Sequence, residues 1–175
     1  MVAPSFGRAI MDLSIIEEAL ATHIARATEK IRRQSLAANL VTVVIHTNHF
    51  RTQEPQHHAS QTVNLPYASN SVSEITHYAT SILRIIFKEG YSYRKVGVLL
   101  SGLTPDTQCQ TQLLVAEPDV RLRKVTGIVD RINLKHGQDT VRFANQGFRI
   151  KVWHSKHERK SKCYTTRVKD ILLAS

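Results

Sequence analysis

One local pattern occurs twice in the first half of the chain and limits its fold more than any other feature. Ser14-Ile15-Ile16-Glu17 and Ser71-Val72-Ser73-Glu74 both have the S-x-x-E form of a helix N-terminus, in which a hydroxyl and a carboxylate satisfy the first unpaired N–H groups. Behind the first, Ile16, Leu20, Ile24, Ala27 and Ile31 recur at helical spacing; behind the second, Ile75, Tyr78 with Ala79, Ile82 and Ile86 do the same until Gly90. The spacing predicts helices over 14–33 and 71–89.

Extended segments flank both helices. Val41, Val43 and Ile45 alternate with Thr42, Val44 and His46, and Val96, Val98 and Leu100 alternate with Lys95, Gly97 and Leu99, the period of half-buried strands. Shorter strands are expected at 5–10 and 61–65, the latter ended by Pro66, with 48–60 as a connecting loop without evident order. The resulting βαββαβ order predicts an α+β, ferredoxin-like unit: a four-stranded antiparallel sheet with two helices on one face and the other face open.

After Gly102 the pattern changes. Thr104-Pro105-Asp106 is a turn signal and a polar stretch follows it. Pro118 opens a predicted helix over 118–134, with Gly137 beyond its end, and a short strand is expected at 140–144. Three regions result: a domain over 1–103, a linker over 104–117 and a small helical or irregular basic module over 118–175.

Charge follows the same division. The 175 residues carry a formal net charge of +10. Within 146–175, Arg149, Lys151, Lys156, Arg159, Lys160, Lys162, Arg167 and Lys169 face only Glu158 and Asp170. Such clusters attract polyanions. That segment is expected to be irregular and ordered weakly or by a partner, with Trp153 and Tyr164 among few possible anchors. Apolar runs such as Val43-Val44-Ile45 are far too short to span a membrane, so the chain reads as soluble and cytoplasmic. Cys109 and Cys163 read as reduced thiols.

Catalytic signatures are absent: no glycine-rich phosphate loop, no GxSxG and no HExxH. His154, His157 and Cys163 fit no zinc spacing, and the 14 acids are scattered rather than grouped to hold two metal ions. No metal or other cofactor is expected. Binding is the better reading. The open sheet face would present Thr42, Val44, His46, Thr62, Asn64, Lys95 and Gly97, with Arg8 and Arg94 at strand starts and Arg32 and Arg33 at a helix end. Small polar side chains admit a phosphate backbone close to the sheet while the cations supply charge, which suits grip without base readout. An RNA-recognition module of this topology stacks bases on aromatics, and these central-strand positions have none, so a free-standing RNA-binding protein is the weakest reading.

These residues resemble a known family. Ser5-Phe6-Gly7-Arg8, the helix ending Ala27-Thr28-Glu29-Lys30-Ile31-Arg32, and Tyr93-Arg94-Lys95-Val96-Gly97-Val98-Leu99-Leu100-Ser101-Gly102-Leu103-Thr104-Pro105 resemble the little-finger domain of Y-family translesion DNA polymerases of the bacterial UmuC type. Trp153, Ser161 and Tyr164-Thr165-Thr166-Arg167 are similar to the short C-terminal module of that family. The resemblance implies a little finger that grips template-primer DNA in SOS mutagenic repair, with polymerisation and its Mg belonging to palm, finger and thumb domains that precede it in the family; this chain alone is then no enzyme. It also implies a sliding-clamp motif at Gln110-Thr111-Gln112-Leu113-Leu114, where Gln110 and Leu113 match and Leu114 replaces the usual aromatic. Leu99 stands where some relatives carry a cation. An alternative is an interaction module that docks on the sliding clamp, a recombinase filament or a UmuD-type accessory subunit.

Overall fold

The computed structural model describes residues 1–108, 120–147 and 151–154, the side chains of 108 and 120–123 excepted. Strand β1 (Ser5–Ile10), helix α1 (Leu13–Arg32), strands β2 (Leu36–Thr47) and β3 (His58–Ser69), helix α2 (Val72–Ile86) and strand β4 (Tyr93–Pro105) follow in the expected order, and α3 (Val120–His136) comes after them. The sheet is antiparallel with the order β1-β4-β2-β3. Each βαβ unit is therefore split by a strand of the other: β4 lies between β1 and β2, and β2 lies between β4 and β3.

Period-2 alternation decides which sheet face is covered. Val41, Val43 and Ile45 of β2 pair with Leu100, Val98 and Val96 of β4, and all six are buried beneath α1, which lies over β4 and β2, and α2, which lies over β2 and β3. From the helices, Ile16, Leu20, Ile24, Ala27 and Ile31 meet Ile75, Ala79, Ile82 and Ile86 in the same core, and Phe6 and Tyr93 close one end. Full burial of each such aliphatic side chain stabilises the fold by about 1.5–3 kcal/mol.

Local chemistry moved several boundaries. Asp12, not Ser14, caps α1: its Oδ1 accepts from Ser14 N at 2.8 Å, which frees Glu17 to pair with Arg84 Nε of α2 at 2.7 Å. Ser71 does cap α2, accepting from Glu74 N, but the Glu74 carboxylate accepts from the Ser69 hydroxyl at 2.6 Å instead of closing the box. Helix α2 stops at Ile86, before the expected 89. Strand β3 starts three residues before the expected Gln61 and continues through Pro66. It can do so because it is an edge strand, where a missing N–H removes no ladder bond, and the register against β2 shifts between Leu40↔Asn64 and Ala38↔Ser69.

The β2–β3 connection is built rather than formless. Gln56 Nε2 donates to the carbonyls of Arg51 and Glu54 at 2.8 and 3.0 Å, and Thr47 Oγ1 donates to Gln56 Oε1 at 2.7 Å. The strand expected at 140–144 does not form. Gly137 (φ 107°) ends α3, and the Asn133 amide takes both backbone groups of Val141, its Oδ1 accepting from the N–H at 2.8 Å and its Nδ2 donating to the carbonyl at 3.0 Å.

Candidate nucleic-acid interface

Cross-strand register places the predicted sheet residues on the helix-free face in ordered rows. His46 stands opposite Lys95 of β4 and His58 of β3; Val44 opposite Gly97 and Ser60; Thr42 opposite Leu99 and Thr62; Leu40 opposite Ser101 and Asn64. Thr42 and Thr62 share a hydroxyl–hydroxyl hydrogen bond of 2.8 Å. Ser5 of β1 extends the first row beside Lys95. Sequence reasoning missed His58, Ser60 and Ser101. For His58 and Ser60 the signal lies in the hairpin: a connection of 48–57 sets His46 against His58, three residues before the strand start that the alternation predicts.

None of the four strands contains an aspartate or glutamate. Their cations are Arg8, which is exposed, and Arg94 and Lys95, which are half-exposed, and none has a carboxylate partner among the described residues. Among the described residues, then, no paired acid offsets the positive charge of these strands. The His46 ring sits below the ordinary imidazole range, because partial burial and then the charges of Lys95, His58 and His49 disfavour its protonation, against the opposing effect of the Thr47 carbonyl.

Three of the expected ligands hold other positions. Gly97 is buried, and a Cβ there would collide with the Ala3 methyl, because residues before β1 continue along β4 through the Val2–Val98 bridge. Its missing side chain serves close strand approach rather than an open seat for phosphate. Arg32 belongs to the helix layer: Nε and Nη2 donate to the two Asp130 oxygens at 2.7 and 2.9 Å, and Nη1 donates to the Asn70 carbonyl at 2.8 Å. Three of its five N–H donors, one on each nitrogen, are thus committed within the helix layer. Arg33 pairs with Glu29 at 2.6 Å on α1, away from the open face.

Trp153, named above as a possible anchor, is 4% exposed and belongs to the main core. Its Nε1 donates to Glu18 Oε1 at 3.0 Å, its carbonyl accepts from Gly7 N at 3.1 Å, and the Lys151 ammonium lies 5.2 Å from its ring centroid. The segment 151–154 thus straps α1 to β1. Beneath it His23 meets the Trp153 ring edge-on at 5.5 Å and has no hydrogen-bond partner at either nitrogen among the described residues. Burial, with Arg26 and Lys151 adding positive charge, pushes the His23 pKa down to about 3, so the ring is neutral in the folded protein.

Gln110, Leu113 and Leu114 of the clamp-like motif lie outside the described residues, as do Tyr164, Thr165, Thr166 and Arg167, and Cys109, His157 and Cys163. Among the described residues no group of three or more His, Cys, Asp or Glu is arranged to hold a metal ion, and no helix is long and apolar enough to cross a membrane.

Comparison with known proteins gives this face its context. The chain is 32% identical over 171 residues to ImpB and 30% identical over 169 residues to UmuC, both of Salmonella typhimurium, and 27% identical over 176 residues to MucB of Escherichia coli. These alignments cover 97%, 96% and 100% of the chain but 40%, 40% and 41% of the relatives, so the chain spans about two-fifths of their length. Residues 123–174 match a domain of unknown function (DUF4113). The βαββαβ unit lies within residues 1–113, which match the impB/mucB/samB family C-terminal domain, and the chain belongs to that family.

Proposed function

We propose that this chain is a DNA-gripping module of a Y-family translesion polymerase of the UmuC type, working in SOS mutagenic repair in the bacterial cytoplasm. It holds template-primer DNA for an active site supplied by other domains and is not catalytic by itself. The observation that carries the reading is the acid-free sheet: four strands without a carboxylate carry Arg8, Arg94 and Lys95, and the register sets Lys95 on the helix-free face beside hydroxyls and small side chains. A duplex backbone carries closely spaced phosphates, and neutralising them releases counterions, so such a face binds through charge with little base readout. The rows of the open face carry no Phe, Tyr or Trp, which limits base stacking and disfavours single-stranded RNA.

Fluorescence anisotropy against primer-template DNA across a salt series tests this. Binding is expected to weaken linearly in a log–log plot of affinity against salt. The double change Arg94→Ala with Lys95→Ala should lower affinity about tenfold or more at low salt and reduce the salt slope by about 2. A chain that ignores duplex DNA at low salt, or a double variant that binds like the parent, overturns the reading.

A further inference from the structure

The row at the hairpin end of the open face has a property that charge alone does not give it. It consists of one fixed cation, Lys95, and two imidazoles, His46 and His58, aligned on three adjacent strands with ring centroids 5.6 Å apart. The cleft beside it is lined by His46, Thr47, His49, Gln56, His57 and His58, without a carboxylate. The other groups near it are accounted for. His57 is engaged by Tyr93, whose hydroxyl lies 2.8 Å from its Nδ1, and Lys88 and His58 lie near that ring. His49 packs on Phe50 at 3.9 Å, Arg51 and Glu54 pair with each other at 2.6 Å, and β1 contributes Ser5 without charge.

We propose that Lys95, His46 and His58 form a proton-linked seat for one backbone phosphodiester of bound DNA; this rests on the DNA-gripping reading above. His46 Nδ1 lies 3.4 Å from the Thr47 carbonyl, which favours the proton on that nitrogen and leaves Nε2 to gain or lose the second one. Without DNA, Lys95 and the neighbouring rings oppose that gain. A phosphodiester reverses the balance: it accepts hydrogen bonds from protonated rings and offsets their mutual repulsion. Binding therefore takes up protons, and by linkage affinity rises as pH falls through the imidazole range.

The experiment is anisotropy with the full chain and duplex DNA at fixed ionic strength from pH 7.5 to 5.5, alongside His46→Gln/His58→Gln and, as a control on α2, His77→Gln. The parent and the His77 variant are expected to tighten about tenfold over this range, and the double variant no more than about twofold. Ring-proton NMR should show the His46 and His58 titrations moving upward on adding duplex. Equal slopes for parent and double variant overturn the seat while leaving DNA grip intact. Loss of DNA binding by the parent at every pH overturns the reading beneath it. If inorganic phosphate moves both ring titrations as far as duplex does, the site is a free-anion site and the proposal fails. The single exposed change His58→Gln, expected to halve the pH slope, gives the same test with the least risk to folding.

Discussion

The helix layer and the open sheet face use positive charge in opposite ways. On the helices, Arg32 is locked to Asp130, Arg33 to Glu29, Arg84 to Glu17, and Arg26 lies 3.9 Å from Asp139. On the strands, Arg8, Arg94 and Lys95 have no carboxylate partner among the described residues, and every acid of the βαββαβ unit lies on a helix or a loop. A net charge of +10 would suggest a polyanion-binding protein wherever the arginines fell. Their segregation says more: Arg32, Arg84 and Arg26 join helix-side elements to one another, and the strand cations remain available to a ligand.

The sharpest way to break this contrast is through the strap on the helix side. Trp153→Ala removes a buried indole and leaves Glu18 without its N–H donor, and should destabilise the fold by about 3–5 kcal/mol. Denaturant unfolding would measure it. A loss under about 1 kcal/mol would mean that 151–154 does not belong to the core. DNA affinity of the still-folded variant at low temperature should stay near that of the parent.

Arg32→Ala sharpens the comparison at intermediate size. It strands Asp130 and the Asn70 carbonyl in a partly buried site, for an expected cost of about 1–3 kcal/mol, with little change in DNA affinity. Lys95→Ala should behave in reverse, weakening DNA binding with stability nearly unchanged. Melting temperatures and anisotropy on the same two proteins settle the matter; if Arg32→Ala costs affinity rather than stability, the division between the faces fails.

The subtlest expectation concerns His23. Its proton is taken up by the unfolded chain near pH 6.5 but resisted by the folded one until about pH 3. The stability from its neutral, buried form is therefore complete above pH 6.5 and lost progressively as pH falls toward 3. Denaturant midpoints at pH 7.5 and 5 should separate for the parent, and the separation should shrink in His23→Leu. An unchanged gap would show that other groups carry the acid sensitivity.

Much of this fold was legible in the sequence because its signals are local. Alternation at Val41–His46 and Lys95–Leu100 fixed which side chains are buried, and the spacing Ile16, Leu20, Ile24, Ala27, Ile31 fixed the buried stripe of α1, since both follow from backbone periods. Local signals failed where a neighbour distant in sequence decided the outcome. Pro66 reads as a strand end until β3 proves to be an edge strand. Ser14 is a different case, a local misreading: Asp12, two residues earlier, accepts from Ser14 N and takes the cap. Tyr93 carries no sign in its own surroundings that it fills one end of the core.

The open face divides along the same line. The sequence by itself determined that four strands would lack acids and that Thr42, His46, Thr62 and Lys95 would share a side, because parity along a strand is set by the pleat. Only the tertiary structure decided that Arg32 is consumed by Asp130, 98 positions away, that Gly97 lies against Ala3, and that Trp153 is core. Hydrogen-bond donors and cations look alike in a sequence. What separates a structural arginine from one that can meet a phosphate is whether the fold brings a carboxylate to within about 3 Å of it, and that depends on packing between elements rather than on any local pattern.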